Sequence, residues 1–316
     1  MKKVIAFFLI ILLFHSTICA QSIETTYLNR IDSTTSYYVT IKPKSKIQAI
    51  VVFIPGLFQT PEQLLLETEI DDLSANHNIL LVIPFLTEIS LHFEEETISF
   101  LKYVVSKIVE SYSIENENLI IGGFSSGGAT ATMYAELTLS NELNSIPPRA
   151  LFLIDSPIDN ERLALNELKS TIYDDLNIQQ SKDTNVSAYF VARFQEIFGL
   201  DYLNNPEFYK RSPYSKSDTT FSNIKPLVNI PVRFYSEPDF AYFFERDSTK
   251  FNPNVMNVLD GSLFINDLKF LGNSDAELLL TKNKGYRRGN KNKRHPHSIS
   301  IVDSEEFLIW VEETIK

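Results

Sequence analysis

The chain has 316 residues, 22% of them charged, with a formal net charge of −11 and one cysteine, Cys19. Its acidic balance argues against a general nucleic-acid binder. A single cysteine excludes an internal disulfide framework, so a chain of this length must be held by its apolar core.

The first 20 residues have the pattern of a secretory signal peptide. Two lysines precede an apolar run at residues 4–14, and small residues follow as far as Ala20. This run is shorter than the roughly 20 residues that span a bilayer. We therefore predict cleavage after Ala20, export to the periplasm or the exterior, and a mature chain at 21–316 without a transmembrane segment. A lipid anchor on Cys19 is the alternative, which the bulky Ile18 disfavours.

Strands and helices alternate along most of the remaining chain. Two segments, 24–30 and 36–41, alternate in polarity, which is typical of antiparallel strands at a sheet edge. Apolar runs then predict strands buried on both faces, as in a parallel sheet. These strands are predicted at 47–54, 79–85, 118–122, 150–154, 232–235 and 277–280. Helices are predicted from the capping residues Thr60 and Gln63 onward, and at 94–112, 127–139 and 303–315.

Residues 160–226 break this alternation. They are helical in pattern and aromatic, with Phe190, Phe194 and Phe198 at helical spacing. Long loops without structure of their own are uncommon in compact domains. The sequence therefore predicts one α/β domain, with a mostly parallel sheet covered on both sides and a helical cap inserted at 160–226.

A serine turn follows the predicted strand at 118–122. Gly123, Ser125 and Gly127 form a Gly-x-Ser-x-Gly motif between a strand and a helix, and this context is that of a nucleophile elbow. The glycines permit the sharp backbone turn that presents the hydroxyl. Ser126 is the rival nucleophile, but its frame lacks the first glycine. We therefore predict that Ser125 is the nucleophile.

The chain resembles the α/β-hydrolase superfamily over residues 50–316. Four features occur in the family's order: Pro55-Gly56, the serine motif at 123–127, Ser-Glu-Pro-Asp at 236–239 and His-Pro-His-Ser at 295–298. It is also similar to a group of exported bacterial hydrolases that carry like segments at the last two places. The resemblance implies a serine hydrolase with a Ser-His-acid triad.

In this family the base follows the last strand and precedes the last helix. Two histidines, His295 and His297, lie there. Many members carry an acidic residue about eight positions after the base and an apolar one about ten positions after it. Glu305 and Phe307 stand at those places when the count starts from His297. The resemblance therefore favours His297, with His295 as the alternative.

The family's acid commonly ends the strand before the base, in a Gly-x-x-Asp segment. Here Ser236 takes the place of that glycine and Asp239 takes the acid's place. The acid would accept a hydrogen bond from the imidazole and hold its tautomer. Glu237 is the neighbouring alternative. A further pair, Asp155 and Asp159, follows an earlier strand from which some members take the acid.

Backbone amides would supply the oxyanion hole. One donor is expected from Ser126, the residue after the nucleophile. The other is expected from Leu57, since the loop Pro55-Gly56-Leu57-Phe58 follows the first buried strand. Pro55 departs from the His-Gly pair that many relatives carry there.

The aromatic cap and the serine motif favour a carboxylic ester hydrolase with a small-molecule substrate. A peptidase of the same fold is the alternative, in which Glu237 or Asp159 could hold a substrate's amino terminus. The third possibility is a binding protein without turnover. The basic segment at 282–294 could steer an anionic substrate, or it is a solvated loop. The sequence predicts no cofactor and no metal, since it has no ligand cluster and no Gly-rich phosphate loop.

Overall fold

A computed structural model describes residues 22–28, 36–85, 91–112, 118–175, 184–246, 255–287 and 290–316. The predicted signal peptide, with Cys19, lies outside these residues, and so do the last two residues of the first predicted strand. The prediction of export therefore stays a prediction. No helix within the described ranges is both long enough and apolar enough to cross a membrane.

A sheet of eight strands forms the centre of the described chain. Its strands are β1 (Ser22–Tyr27), β2 (Tyr37–Lys42), β3 (Ala49–Ile54), β4 (Ile79–Phe85), β5 (Leu119–Phe124), β6 (Ala150–Ile154), β7 (Val232–Ser236) and β8 (Ala276–Leu280). They are arranged in the order β1-β2-β4-β3-β5-β6-β7-β8. The pairs β1–β2 and β2–β4 are antiparallel, and all further pairs from β4 to β8 are parallel. This confirms the predicted edge strands and the predicted parallel sheet.

Helices cover both faces of the sheet. In chain order, the helices of the described residues are α1 (Pro61–Leu65), α2 (Ile70–Ser74), α3 (Glu95–Tyr112), α4 (Ser126–Leu139), α5 (Asn160–Asp175), α6 (Thr184–Phe198), α7 (Pro206–Lys210), α8 (Phe240–Arg246), α9 (Val258–Phe270) and α10 (Ser304–Thr314). The capping box predicted at Thr60 and Gln63 opens α1. A two-stranded hairpin, β9 (Tyr286–Arg287) and β10 (Asn290–Arg294), lies between β8 and α10.

Strand β3 shows how the buried runs divide between the two faces. Ile50, Val52 and Ile54 belong to the core beneath α3, α4 and α9, whereas Val51 and Phe53 belong to the core beneath α1, α2 and α10. Successive side chains of a strand point to opposite faces, so a strand covered on both sides must be apolar at every position. This is why continuous apolar runs marked the central strands in the sequence.

Helix α9 is absent from the sequence-based prediction. Its buried residues include Asp260 and Gly261. A Cβ on Gly261 would lie 2.5 Å from the Phe234 ring, so only glycine fits where this helix contacts β7. A glycine and a carboxylate on the buried face weaken the apolar periodicity on which helix prediction depends.

The segment between β6 and β7 folds around its own aromatic cluster. Phe194 is fully buried, and the rings of Phe93, Phe208 and Tyr202 lie 5.1–5.6 Å from it. Phe93 precedes α3, so the cluster joins the segment to the body of the domain. The pair Arg193–Glu94, 2.5 Å apart, joins α6 to the same region. Helices α5–α7 thus form a packed layer at the place where the sequence predicts a cap.

His92 is buried at the same junction. Its Nε2 lies 2.7 Å from Oδ1 of Asn160, the first residue of α5. Because the Asn160 amide nitrogen faces the carbonyls of Phe208 and Arg211, its Oδ1 is the acceptor and the imidazole donates. Burial lowers the pKa of His92 to about 4, although this hydrogen bond opposes the shift.

The titration of His92 predicts a pH dependence of stability. An unfolded histidine titrates near pH ~6.5, so protonation of the buried ring favours unfolding. The stability that is complete above pH ~6.5 is lost as the pH falls towards 4. We expect His92→Gln to reduce the loss of unfolding free energy between pH 7 and pH 4 by up to about 3 kcal/mol. Urea titrations at several pH values measure this difference, and parallel profiles for the two proteins would contradict it.

Candidate active site

Ser125 lies on a strained turn between β5 and α4. Its φ of 53° and ψ of −126° are unusual for a residue with a side chain, and such strain is often kept at functional sites. The amide of Ser125 donates to the Ile154 carbonyl at 2.9 Å, which anchors the turn to β6. The Ser125 hydroxyl does not cap the following helix. It is therefore available to contact other side chains.

The two glycines of the motif are required by the closeness of neighbouring backbone. A Cβ on Gly127 would lie 2.2 Å from the Ile54 carbonyl oxygen and 2.4 Å from that of Pro55. A Cβ on Gly123 would lie 2.5 Å from the Gly127 carbonyl carbon. The start of α4 therefore sits directly against the end of β3, and this contact explains why the glycines frame Ser125.

His297 lies beside Ser125. Its Nε2 is 3.1 Å from the Ser125 hydroxyl, and its ring packs against Phe124 with centroids 4.7 Å apart. The other ring nitrogen, Nδ1, is 2.6 Å from Oδ2 of Asp155. Because an ionised carboxylate only accepts, Nδ1–H donates to Asp155 and Nε2 accepts from the serine. Ser125, His297 and Asp155 thus form one hydrogen-bonded chain.

Asp155 follows β6 directly. Its φ of 44° is in the left-handed region, and this turn directs the side chain towards His297. The Asp155 amide donates to the Tyr235 carbonyl at 2.8 Å. Its second carboxylate oxygen accepts from the Ser236 hydroxyl at 2.8 Å. Both carboxylate oxygens therefore have a partner.

Asp239, the first choice of acid from the sequence, is not the residue that contacts His297. Its Oδ2 is 2.9 Å from Arg294, and its Oδ1 accepts from the Tyr242 amide at 3.0 Å. Helix α8 begins at the residue after Asp239, so this carboxylate serves as its cap. In this structure the imidazole contacts Asp155 instead, which follows the neighbouring strand β6.

The two other acidic alternatives also have structural partners. Glu237 is buried and accepts from the Lys284 amide at 2.9 Å and the Gly285 amide at 3.0 Å. It also pairs with Arg294. Asp159 caps α5 by accepting from the Glu161 amide at 2.9 Å.

His295, the alternative base, is directed away from Ser125. Its Nδ1 contacts the His297 carbonyl, and its Nε2 lies 3.3 Å from Arg287.

Glu305 and Phe307, whose spacing from His297 favoured it as the base, take different positions. Phe307 is buried with its ring 4.8 Å from that of Phe152, whereas Glu305 lies 3.4 Å from His77.

The loop after β3 lies against the serine turn. A Cβ on Gly56 would be 3.3 Å from the Ser125 Cβ, so the backbone leading to Leu57 passes beside the nucleophile. The Gln59 amide closes this loop onto the Gly56 carbonyl at 3.0 Å, with Phe58 at a φ of 60°. Ser126 begins α4, where amides have no acceptor within the helix. The donor roles of Leu57 and Ser126 stay predictions.

A buried polar network lies behind Asp155. Asn257 donates from its side chain to the Asp155 carbonyl at 2.8 Å. Arg162, in α5, donates to the Asn257 side-chain oxygen at 2.9 Å and to Asp260 at 2.7 Å. Asp260 in turn accepts from the Ile158 amide at 3.0 Å. The turn that carries the acid is therefore held by residues of α5 and α9.

Sequence reasoning missed Ser236, Asn257 and Arg294 as residues around the site. Ser236 was read only as the replacement for a glycine. Asn257 precedes a helix that the pattern did not predict, and Arg294 was counted within the basic segment. Arg294 is paired with two carboxylates: it lies 2.9 Å from Asp239 and also contacts Glu237. Among the described residues, no three His, Cys, Asp or Glu side chains are grouped so that they could hold a metal ion.

No family model matches the chain, and no curated protein sequence matches it significantly. Solved structures match its fold. S-formylglutathione hydrolase from Staphylococcus aureus has a TM-score of 0.57 at 10% identity, over 94% of this chain and 100% of that one. Carboxyl esterase 2 from Tuber melanosporum has a TM-score of 0.58 at 14% identity, over 95% of this chain and 88% of that one.

Acylaminoacyl peptidase from Pyrococcus horikoshii also matches, with a TM-score of 0.56 at 14% identity over 96% of this chain but 43% of that one. The matches extend over almost the whole chain, which therefore has the α/β-hydrolase fold. The resemblance that its motifs indicated is confirmed at the level of the fold. Identities this low carry no information about substrate.

The glycine frame of the serine turn yields a test by stability. Gly127→Ala places a Cβ against two backbone carbonyls, which can give way only if α4 moves from the sheet. We expect a loss of at least about 3 kcal/mol of unfolding free energy, at the upper end for overpacking. Gly56→Ala is the matched comparison, because its Cβ would meet only side-chain atoms, of Phe124 and Ser125, at 3.0–3.3 Å. Equal stabilities in denaturant titrations would contradict this account.

Proposed function

We propose that the chain is a serine hydrolase that cleaves carboxylic esters through an acyl-enzyme formed on Ser125. The observation that carries the proposal is the hydrogen-bonded series from Ser125 through His297 to Asp155, with distances of 3.1 Å and 2.6 Å. The nucleophile and base proposed from the sequence are kept. Asp155 replaces Asp239 as the proposed acid.

The geometry supports general-base catalysis by His297. Its Nε2 takes the proton from the Ser125 hydroxyl as the oxygen attacks the acyl carbonyl carbon. Asp155 holds the imidazole in the tautomer that leaves Nε2 unprotonated and stabilises the imidazolium that forms. When the tetrahedral intermediate collapses, His297 returns the proton to the departing alcohol oxygen. Water, activated by the same nitrogen, then hydrolyses the acyl-enzyme.

The developing oxyanion would be bound by the backbone amides of Leu57 and Ser126. Two such donors, positioned before the reaction, stabilise charge that appears only in the transition state. The close approach of Gly56 to Ser125 supports the role of Leu57, which is the next residue along the chain. The Ser126 amide lies at the start of α4, where the helix dipole also favours an anion.

The partners of the acidic side chains favour an ester over a peptide substrate. A peptidase of this fold that binds the amino terminus of short peptides uses a carboxylate to hold it. Glu237 and Asp159 are the candidates for that carboxylate. Glu237 is occupied by two loop amides and Arg294, and Asp159 caps α5. Next to Leu57, the ring of Phe58 lies 6.1 Å from the ring of Tyr189, measured between centroids. This aromatic pair suits a partly apolar substrate.

A binding protein without turnover would not require a linked serine, imidazole and carboxylate. The complete series at hydrogen-bond distances therefore favours an enzyme. We further propose, from the sequence of residues 1–20 alone, that the enzyme acts outside the cytoplasm.

A fluorophosphonate probe tests the proposed nucleophile. We expect a single adduct on Ser125, because the probe requires a serine activated by a base. Ser125→Ala should abolish labelling, while the matched variant Ser126→Ala should keep it. The adduct is located by mass spectrometry of the digested protein. A folded wild-type protein that takes no label would contradict the proposed function.

The same protein, assayed with p-nitrophenyl esters and aminoacyl-naphthylamides, separates the two hydrolase classes. Turnover of the esters alone supports the esterase. Turnover of the amides alone would establish the peptidase instead.

Two variants, each replacing an aspartate with asparagine, test which residue is the acid. Asp155→Asn should lower kcat by roughly 10³- to 10⁴-fold, because the amide favours the wrong imidazole tautomer. Asp239→Asn should lower it less than about tenfold, since Asp239 contacts α8 and Arg294 rather than the imidazole. Steady-state kinetics with one ester measures both. The opposite ranking would restore Asp239 as the acid.

A further inference from the structure

The end of β7 carries two adjacent buried polar residues, Ser236 and Glu237. They are only 1% and 4% exposed. Adjacent residues in an extended chain direct their side chains to opposite sides. Ser236 is directed to Asp155 and Glu237 to the loop that leads into the β9–β10 hairpin. One short segment therefore contacts the surroundings of both the acid and the base.

The Ser236 hydroxyl fixes the Asp155 carboxylate. It donates to Oδ1 at 2.8 Å, while Oδ2 faces His297 Nδ1 at 2.6 Å. A carboxylate that is bonded at both oxygens has one orientation about its terminal torsion. Without Ser236, this group could rotate and present either oxygen to the imidazole. By donating to the carboxylate, the hydroxyl also reduces the negative charge that Asp155 presents to the imidazolium.

Glu237 fixes the path of the chain towards His297. Its Oε2 accepts from the amides of Lys284 and Gly285 and, at 3.1 Å, from the Thr281 hydroxyl. Its Oε1 pairs with Arg294, which also donates to the Gly285 carbonyl at 2.5 Å. Together these bonds hold the two ends of the hairpin against each other. His297 follows Arg294 by three residues, so the position of this junction determines where the imidazole lies.

We propose that Ser236 and Glu237 are positioning residues, of which Ser236 orients the acid Asp155 and Glu237 holds the loop that presents the base His297. The inference rests on the proposed serine hydrolase chemistry. The segment in which the sequence predicted the acid thus supports the triad without belonging to it. Neither side chain contacts the Ser125 hydroxyl among the described hydrogen bonds.

Ser236→Ala tests the first half of the proposal. We expect kcat for a p-nitrophenyl ester to fall about 10- to 100-fold with KM within about twofold, as for other residues that orient a catalytic ligand. The acidic limb of the kcat/KM profile should move to higher pH, because the carboxylate that faces the imidazolium loses a donor. Ser236→Thr keeps the hydroxyl and should restore most of kcat. Ser262→Ala, on α9, is the control.

Glu237→Gln tests the second half. The amide keeps the size of the side chain but loses the charge that pairs with Arg294. We expect kcat to fall about tenfold or more and KM to change little. Glu277→Gln, on the neighbouring strand β8, is the control, since the half-exposed Glu277 also pairs with an arginine, Arg233, at 3.0 Å. A folded Glu237→Gln protein with unchanged kcat would overturn this half.

A readout independent of turnover separates the inference from the proposed function. The proton on His297 Nδ1, which is hydrogen-bonded to Asp155, should give a downfield resonance in proton NMR. The loss of this signal in His297→Ala assigns it. We expect this signal to broaden or disappear in Ser236→Ala and to persist in Ser262→Ala. An unchanged signal in Ser236→Ala would overturn the role of Ser236. A wild-type protein that shows the signal but neither labels nor turns over esters would overturn the proposed function alone.

Discussion

The hydrogen bond between Asp155 and His297 joins two residues that lie 142 positions apart in the chain, and the rest of the site depends on it. It requires β6 to end beside β7, the backbone of Asp155 to adopt a left-handed turn, and the loop before α10 to return across the sheet. Each requirement is met by separate contacts: the Tyr235 carbonyl, Asn257, and the junction around Glu237. The imidazole is thereby fixed over Phe124, beside Ser125.

Much of this fold could be predicted because parallel strands that are buried on both faces must be apolar at every position. The runs at β3, β4 and β6 are of this kind. The serine turn could be predicted because Gly123 and Gly127 are forced by backbone that approaches within van der Waals contact. Helix α9 could not, because its contact with β7 uses Gly261 and its buried face includes Asp260, so neither follows the apolar pattern.

The acid was the least predictable residue of the site, for a physical reason. The ends of β6 and β7 lie side by side, so an aspartate after either strand starts from the same edge of the sheet. The outcome depends on which side chain has a competing use. Asp239 is used by α8, whose amide it caps, and by Arg294. Asp155 instead lies on a left-handed turn, and its Oδ2 contacts His297. Neither condition is visible in the local sequence.

Arg162 makes the helix α5 part of the support beneath the acid. This arginine lies in the first helix between β6 and β7, yet its guanidinium neutralises Asp260 and orients Asn257 beneath the acid. Asp260 is 2% exposed, and a buried carboxylate deprived of its cation typically costs about 3–5 kcal/mol. A shorter connection in place of α5 would therefore remove this support from the turn that carries the acid. A change of length between β6 and β7 that spares this support would have to fall in α6, α7 or the chain that joins them.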